Sequence, residues 1–151
     1  MSLPKDDIDA VQITQFVNGD TAFMVYLTRG GLTKRVGSSD RVDPSALLMT
    51  GGTDAFGAFM GALPEHLLEQ GASMEDGGTD GQRHEWRFEF AGGMNSLIYD
   101  IAYHSGSASL PDEFADIVEY LKTLLIREKF IGLRVFNKSD FGKDVRHRCR
   151  I

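Results

Sequence analysis

A chain of 151 residues that is 42% hydrophobic and 25% charged has the size and balance of one globular domain, which excludes intrinsic disorder. Ten Phe, four Tyr and one Trp supply bulky side chains for a sizeable core. The net charge of −6 is uneven: residues 127–151 hold eight Lys or Arg against three acids, a local balance of +5, so the remainder carries −11.

Val11 to Phe16 alternates and is rich in β-branched residues. Asn18-Gly19 follows, a dipeptide that tolerates the positive φ of tight hairpin turns, and Phe23 to Leu27 returns. Both sides of that second strand are apolar, which predicts a central place in a sheet covered on both faces. Gly30-Gly31 predicts another turn, and Leu32 to Val36 a third strand. Asp43-Pro44 reads as a helix start, cap and first position, interrupted by Gly51-Gly52. Thr53 caps a further helix on which Phe56, Phe59, Met60, Leu63 and Leu67 share one face. Pro64 kinks or restarts it, and Gly71 stops it.

Residues 75–81 read as a polar loop. The clearest strand follows: His84, Trp86, Phe88 and Phe90 point one way, and Glu85, Arg87 and Glu89 point toward water. Gly92 to Asn95 predicts a four-residue turn, after which Leu97, Tyr99, Ile101 and Tyr103 share one face. Pairing Phe90 with Leu97 sets Phe88 opposite Tyr99, Trp86 opposite Ile101, His84 opposite Tyr103 and Arg87 opposite Asp100. A slip by one residue would set Asp100 against Trp86. The last helix begins near Ser109-Leu110-Pro111-Asp112, with Asp112 and Glu113 favoured by the dipole of its first turn. Phe114, Ile117, Val118, Leu121, Leu124 and Leu125 form its core stripe. Gly132 is expected to end it, while Ile131, Leu133 and Val135 alternate as in a final strand. This order predicts one α+β domain over residues 1–136, followed by a basic tail at 137–151. The expected architecture is an antiparallel sheet of about four to six strands with two or three helices on one face.

The single cysteine, Cys149, cannot form an internal disulfide, which fits a reducing compartment. Met1 to Asp9 carries Asp6, Asp7 and Asp9 and no basic segment ahead of an apolar run, so no signal peptide is expected. Apolar runs fall far short of the roughly 20 residues a membrane helix needs, so the expected location is cytoplasmic.

His84, beside Trp86 and opposite Tyr103, is the candidate general base, with Tyr103 as its companion. The competing reading is a core-edge histidine bonded to a tyrosine. Trp86 and Tyr99 are the candidate ligand-binding aromatics. His104 and the serines at 105, 107 and 109 resemble a hydrolase dyad only in composition, because no G-x-S-x-G elbow exists. His66 belongs on a solvated helix face. His147-Arg148-Cys149 lacks the second ligand pair of a zinc site, and Asp76, Asp80 and Gly81 lack calcium-loop spacing. Thr50-Gly51-Gly52-Thr53-Asp54 lacks the Lys of a phosphate cradle. No metal and no cofactor are therefore expected.

These readings predict a non-catalytic binding domain in a homodimer, acting on a protein partner or a small ligand. The alternatives are a small metal-independent enzyme using His84, and nucleic-acid binding through Arg146, Arg148 and Arg150 with nearby Phe141. An acidic body disfavours nucleic acid at long range. Phe136-Asn137-Lys138-Ser139 and the irregular Arg-rich end after it are similar to the ends of proteins encoded on mobile integron gene cassettes, where translation runs into a recombination site. The resemblance implies a small single-domain protein and a tail without function, and it transfers no site residues.

Overall fold

Asn18 and Gly19 both take positive φ, 50° and 85°, and so close a tight hairpin between strands β1 (Ala10–Val17) and β2 (Asp20–Thr28). The computed structural model in which this is seen describes residues 3–37, 47–50, 55–126 and 131–134. The chain continues through β3 (Thr33–Gly37), β4 (Leu47–Thr50), helix α1 (Ala55–Ala62), β5 (Ala72–Glu75), β6 (Arg83–Gly92), β7 (Asn95–His104), helix α2 (Asp112–Ile126) and β8 (Ile131–Arg134). Single 3-10 turns lie at Lys5–Asp7 and Glu65–Leu68.

All the strands join one sheet in the order β5-β7-β6-β1-β2-β3-β4-β8. Every pair is antiparallel except β5 with β7. The six strands from β5 to β3 form the body, and two four-residue strands extend it beyond β3. The class is α+β, as expected. The expected register of β6 on β7 is the one found, with His84 opposite Tyr103, Phe88 opposite Tyr99 and Arg87 opposite Asp100. Bidentate contacts of 2.7 and 3.1 Å lock that last pair.

Helices α1 and α2 bury their stripes against one sheet face. Ile13, Phe23, Val25, Phe88 and Phe90 from the strands meet Phe59, Phe114 and Leu121 from the helices in one cluster. Phe114 wedges between Phe88 and Tyr99, with both centroid separations 5.0 Å. As Pro64 dictates, α1 stops and the chain restarts as the 3-10 turn that carries Leu67 and Leu68 into the core. Arg29 ties the first 3-10 turn to the sheet by donating to the carbonyls of Lys5 and Ile8, and its guanidinium lies 5.1 Å from the Phe56 ring centre.

Four expectations are corrected. Residues 47–50, expected in a helix begun at Asp43-Pro44, form β4. Leu47-Leu48-Met49-Thr50 is a short apolar run without helical period, and it pairs with β3 and β8. Residues 43–46 and the cap at Thr53 lie outside the described residues. Glu75, expected to open the polar loop, instead closes a strand, Ala72–Glu75, that pairs with β7. Gly71 allows it, since a Cβ there would sit 2.2 Å from the Ile98 carbonyl oxygen. The turn between β6 and β7 has two residues, Gly93 and Met94, with Gly92 paired to Asn95. Gly132, expected to end the last helix, lies inside β8 instead.

The second sheet face differs from expectation in its centre. Glu89 was read as solvent-facing but is 7% exposed. In register it lies across from Gln12, and Gln12 from Tyr26, so a polar row crosses β6, β1 and β2. Ala10, Met24 and Ala91 are buried around it.

Candidate functional site

Alternation along β6 and β7 places His84, Trp86, Tyr99 and Tyr103 on the helix-covered face, as their spacing predicts. Three of the four gather at one end. The His84 ring stacks on Tyr103 at 5.3 Å with the planes 11° apart, and Trp86 Nε1 donates to the Tyr103 hydroxyl at 3.2 Å. Gln15 completes the group, a residue that sequence reasoning missed. Its amide Nε2 donates to His84 Nδ1 at 3.1 Å. Position 15 belongs to the inward side of β1, so a polar residue there interrupts an apolar row, and that interruption is the signal that could have found it.

Burial lowers the His84 pKa below its ordinary value. The ring is therefore neutral near pH 7, and accepting at Nδ1 leaves its proton on Nε2. In this arrangement the basic lone pair is already in use. Tyr99 stands apart from the group. Its hydroxyl donates to the Leu67 carbonyl at 2.7 Å, tying the second 3-10 turn to the sheet, and burial raises its pKa, helped by the charges of Glu113 and Glu69. Tyr99 and Trp86, the candidate ligand-binding aromatics, are buried, 5% exposed each.

A concavity lies elsewhere, between the helices. Glu113, Asp116, Ile117 and Tyr120 recur at helical spacing and form one stripe of α2. Phe59, Ala62, Leu63 and Pro64 face them from the end of α1. The groove holds about 420 Å³, within the range of small-molecule sites. Its floor is apolar, and two carboxylates stand on its α2 side. The Tyr120 hydroxyl donates to the Ala58 carbonyl at 3.4 Å, joining α2 to α1, and Glu113 pairs with His66, joining α2 to the second 3-10 turn. Sequence reading placed His66 on a solvated face, where it is found, but gave no groove. The groove depends on where α1 ends against α2, which no local pattern encodes.

His104 lies opposite Arg83 at the strand ends, and the nearby serines serve loop closure, Ser107 Oγ donating to Asp76 at 2.9 Å. Among the described residues no group of three or more His, Cys, Asp or Glu is placed to hold a metal ion, and no helix is long and apolar enough to cross a membrane. Arg146, Arg148, Arg150 and the His147–Cys149 pair lie outside the described residues, as do Gly51 to Asp54. Compared with protein-family models, with curated proteins and with solved structures, the chain shows no match.

Proposed function

We propose that this chain is a binding domain whose ligand enters the groove between α1 and α2. The observation that carries the reading is the pairing of an apolar lining with the exposed Asp116 at its side, Glu113 beside it being shared with His66. Such a groove suits a small molecule with an apolar body and a cationic group, because the body displaces water from Ala62, Pro64 and Tyr120 while the cation meets carboxylate. The acidic body of the chain favours the same sign of ligand at long range.

A thermal-shift comparison of arylalkylammonium compounds with their uncharged isosteres tests this. At about 100 times its dissociation constant a ligand adds roughly 2.7 kcal/mol, a visible rise in melting temperature. The ammonium compounds should stabilise and the neutral ones much less. Equal shifts, or none, refute the proposal.

The engagement of His84 with Gln15 and Tyr103 supports binding over catalysis. The enzyme reading retains one favourable observation, the neutral imidazole, and predicts that His84→Ala abolishes a turnover while sparing the fold. We also infer a homodimer, supported by the exposed edge strand β5, all four residues of which face solvent. A monomer mass by sedimentation at high concentration contradicts it. A cytoplasmic location rests on the lone cysteine and is tested by fractionation.

A further inference from the structure

Strand β5 ends the sheet, and its backbone sets which groups are left over. The Asp76 N–H donates to the Ala102 carbonyl at 2.9 Å, just past the last residue of the parallel β5–β7 ladder. Peptide groups alternate sides along a strand. Ala72 and Met74 therefore turn theirs toward β7, while Ser73 and Glu75 turn N–H and C=O outward. Those outward groups have no backbone partner among the described residues. All four side chains are exposed as well. Met74, 36% exposed, continues the inward row of Trp86 and Ile101 to the edge. Ser73 and Glu75 lie on the other face, where Arg83 meets the Glu75 carboxylate at 2.9 Å and offsets its charge. Shortness and that one acid are the only guards of this edge. It carries no Lys, no Pro and no bulge, the usual protections of a strand meant to stay unpaired.

We propose that β5 pairs antiparallel with β5 of a second copy about a two-fold axis at Met74, so that two sheets become one. The proposal rests on the homodimer inferred above and assigns its interface. In this register Ser73 faces the partner's Glu75 and Glu75 faces the partner's Ser73, each pair exchanging both of its hydrogen bonds. Between them Met74 meets its own copy as the closer, non-hydrogen-bonded pair, which carries the row from Trp86 and Ile101 across the axis. The strand is thus complementary to itself in donors, acceptors and charge, since each Glu75 falls beside a hydroxyl. A register centred on Glu75 would set two carboxylates opposite each other, and one centred on Ser73 forms a single hydrogen-bonded pair within β5. A head-to-tail parallel pairing would leave the symmetry open, whereas the two-fold uses up both edges. The contact is small, so the association is weak and depends on concentration.

Cysteine cross-linking of the full chain reads the register. Cys149 is the sole cysteine of the sequence, so Cys149→Ser gives a clean background. There Met74→Cys brings two thiols onto residues about 4.5 Å apart at Cα, within disulfide reach. Ser73→Cys sets them about 7–8 Å apart, at the limit or beyond it. Oxidised glutathione should link Met74→Cys into dimers at least tenfold faster than Ser73→Cys. Equal rates, or a faster Ser73→Cys, overturn the proposal. Sedimentation at high concentration supplies a second reading. Ser73→Pro removes an outward N–H and none from the ladder to β7, so it should keep the circular dichroism of the parent chain yet sediment as monomer where the parent is dimer. A dimer that Ser73→Pro leaves intact means that the homodimer uses another surface, and it overturns this interface alone. A parent chain that stays monomeric overturns the homodimer as well.

Discussion

On one face of the sheet Phe88 is buried by stacking on Trp86 and by Phe114 from α2, in a layer of aliphatic and aromatic side chains. On the other, Met24 and Tyr26 are as fully buried beside Gln12, Thr14 and Glu89. The first face needs little beyond shape, since apolar groups gain by leaving water wherever they pack. The second must also satisfy polar atoms, because a buried amide or carboxylate without partners costs free energy. The apolar face thus sets where the helices lie, and the polar one must satisfy its side chains as well as bury them.

Core truncations test that contrast most strongly. Phe88→Ala removes the centre of the aromatic layer and should cost about 3–5 kcal/mol in urea unfolding. Met24→Ala sharpens the comparison, because a Met truncated in a true core costs about 2–5 kcal/mol, whereas surface changes stay near 0.5. A cost at the surface level would mean that the second face is open to water. Tyr103→Phe removes the acceptor of the Trp86 indole at the polar end of the first face. It should cost about 1 kcal/mol and shift the Trp86 emission, which comes from the chain's single tryptophan. A double-mutant cycle on Arg87 and Asp100 should give under about 1 kcal/mol, since both side chains are nearly half exposed.

The smallest effect appears only in acid. Burial depresses the His84 pKa, so the unfolded chain takes up this proton first as pH falls below about 6.5. Stability should therefore drop through that window toward the lower folded value, with no contribution from His84 at higher pH. In His84→Gln that part of the acid loss should vanish, and an imidazole that titrates by NMR above its ordinary value would contradict the assignment.

Where one face is wet and the other dry, the sequence announces itself. The alternation from His84 to Phe90 and the Arg87–Asp100 match specified the β6–β7 register, because a one-residue slip would bury a carboxylate against Trp86. Asn18-Gly19 specified the first hairpin for a similarly local reason. The four residues of β4 carry too few side chains to show a period. β5, exposed at every position, has no buried row to read. Glu89 continues a row of charged residues, and nothing in that row says that its last member is covered. Of the candidate site, the His84, Trp86 and Tyr103 constellation was legible because one strand pair builds it. The groove was not, since its halves come from residues 59–64 and 113–120 and meet only through tertiary packing.

The central claim, that the groove between α1 and α2 is a binding site, is tested most directly by an NMR titration with an arylalkylammonium probe on the intact chain and on Ala62→Trp. Ala62 is exposed at the groove and outside the core, so a larger side chain fills the space without disturbing the sheet. The account predicts saturating shifts confined to the end of α1 and the Glu113–Tyr120 stripe, weakened at least tenfold by Ala62→Trp. Shifts centred on His84 and Tyr103 instead, or an affinity unchanged in Ala62→Trp, would contradict it.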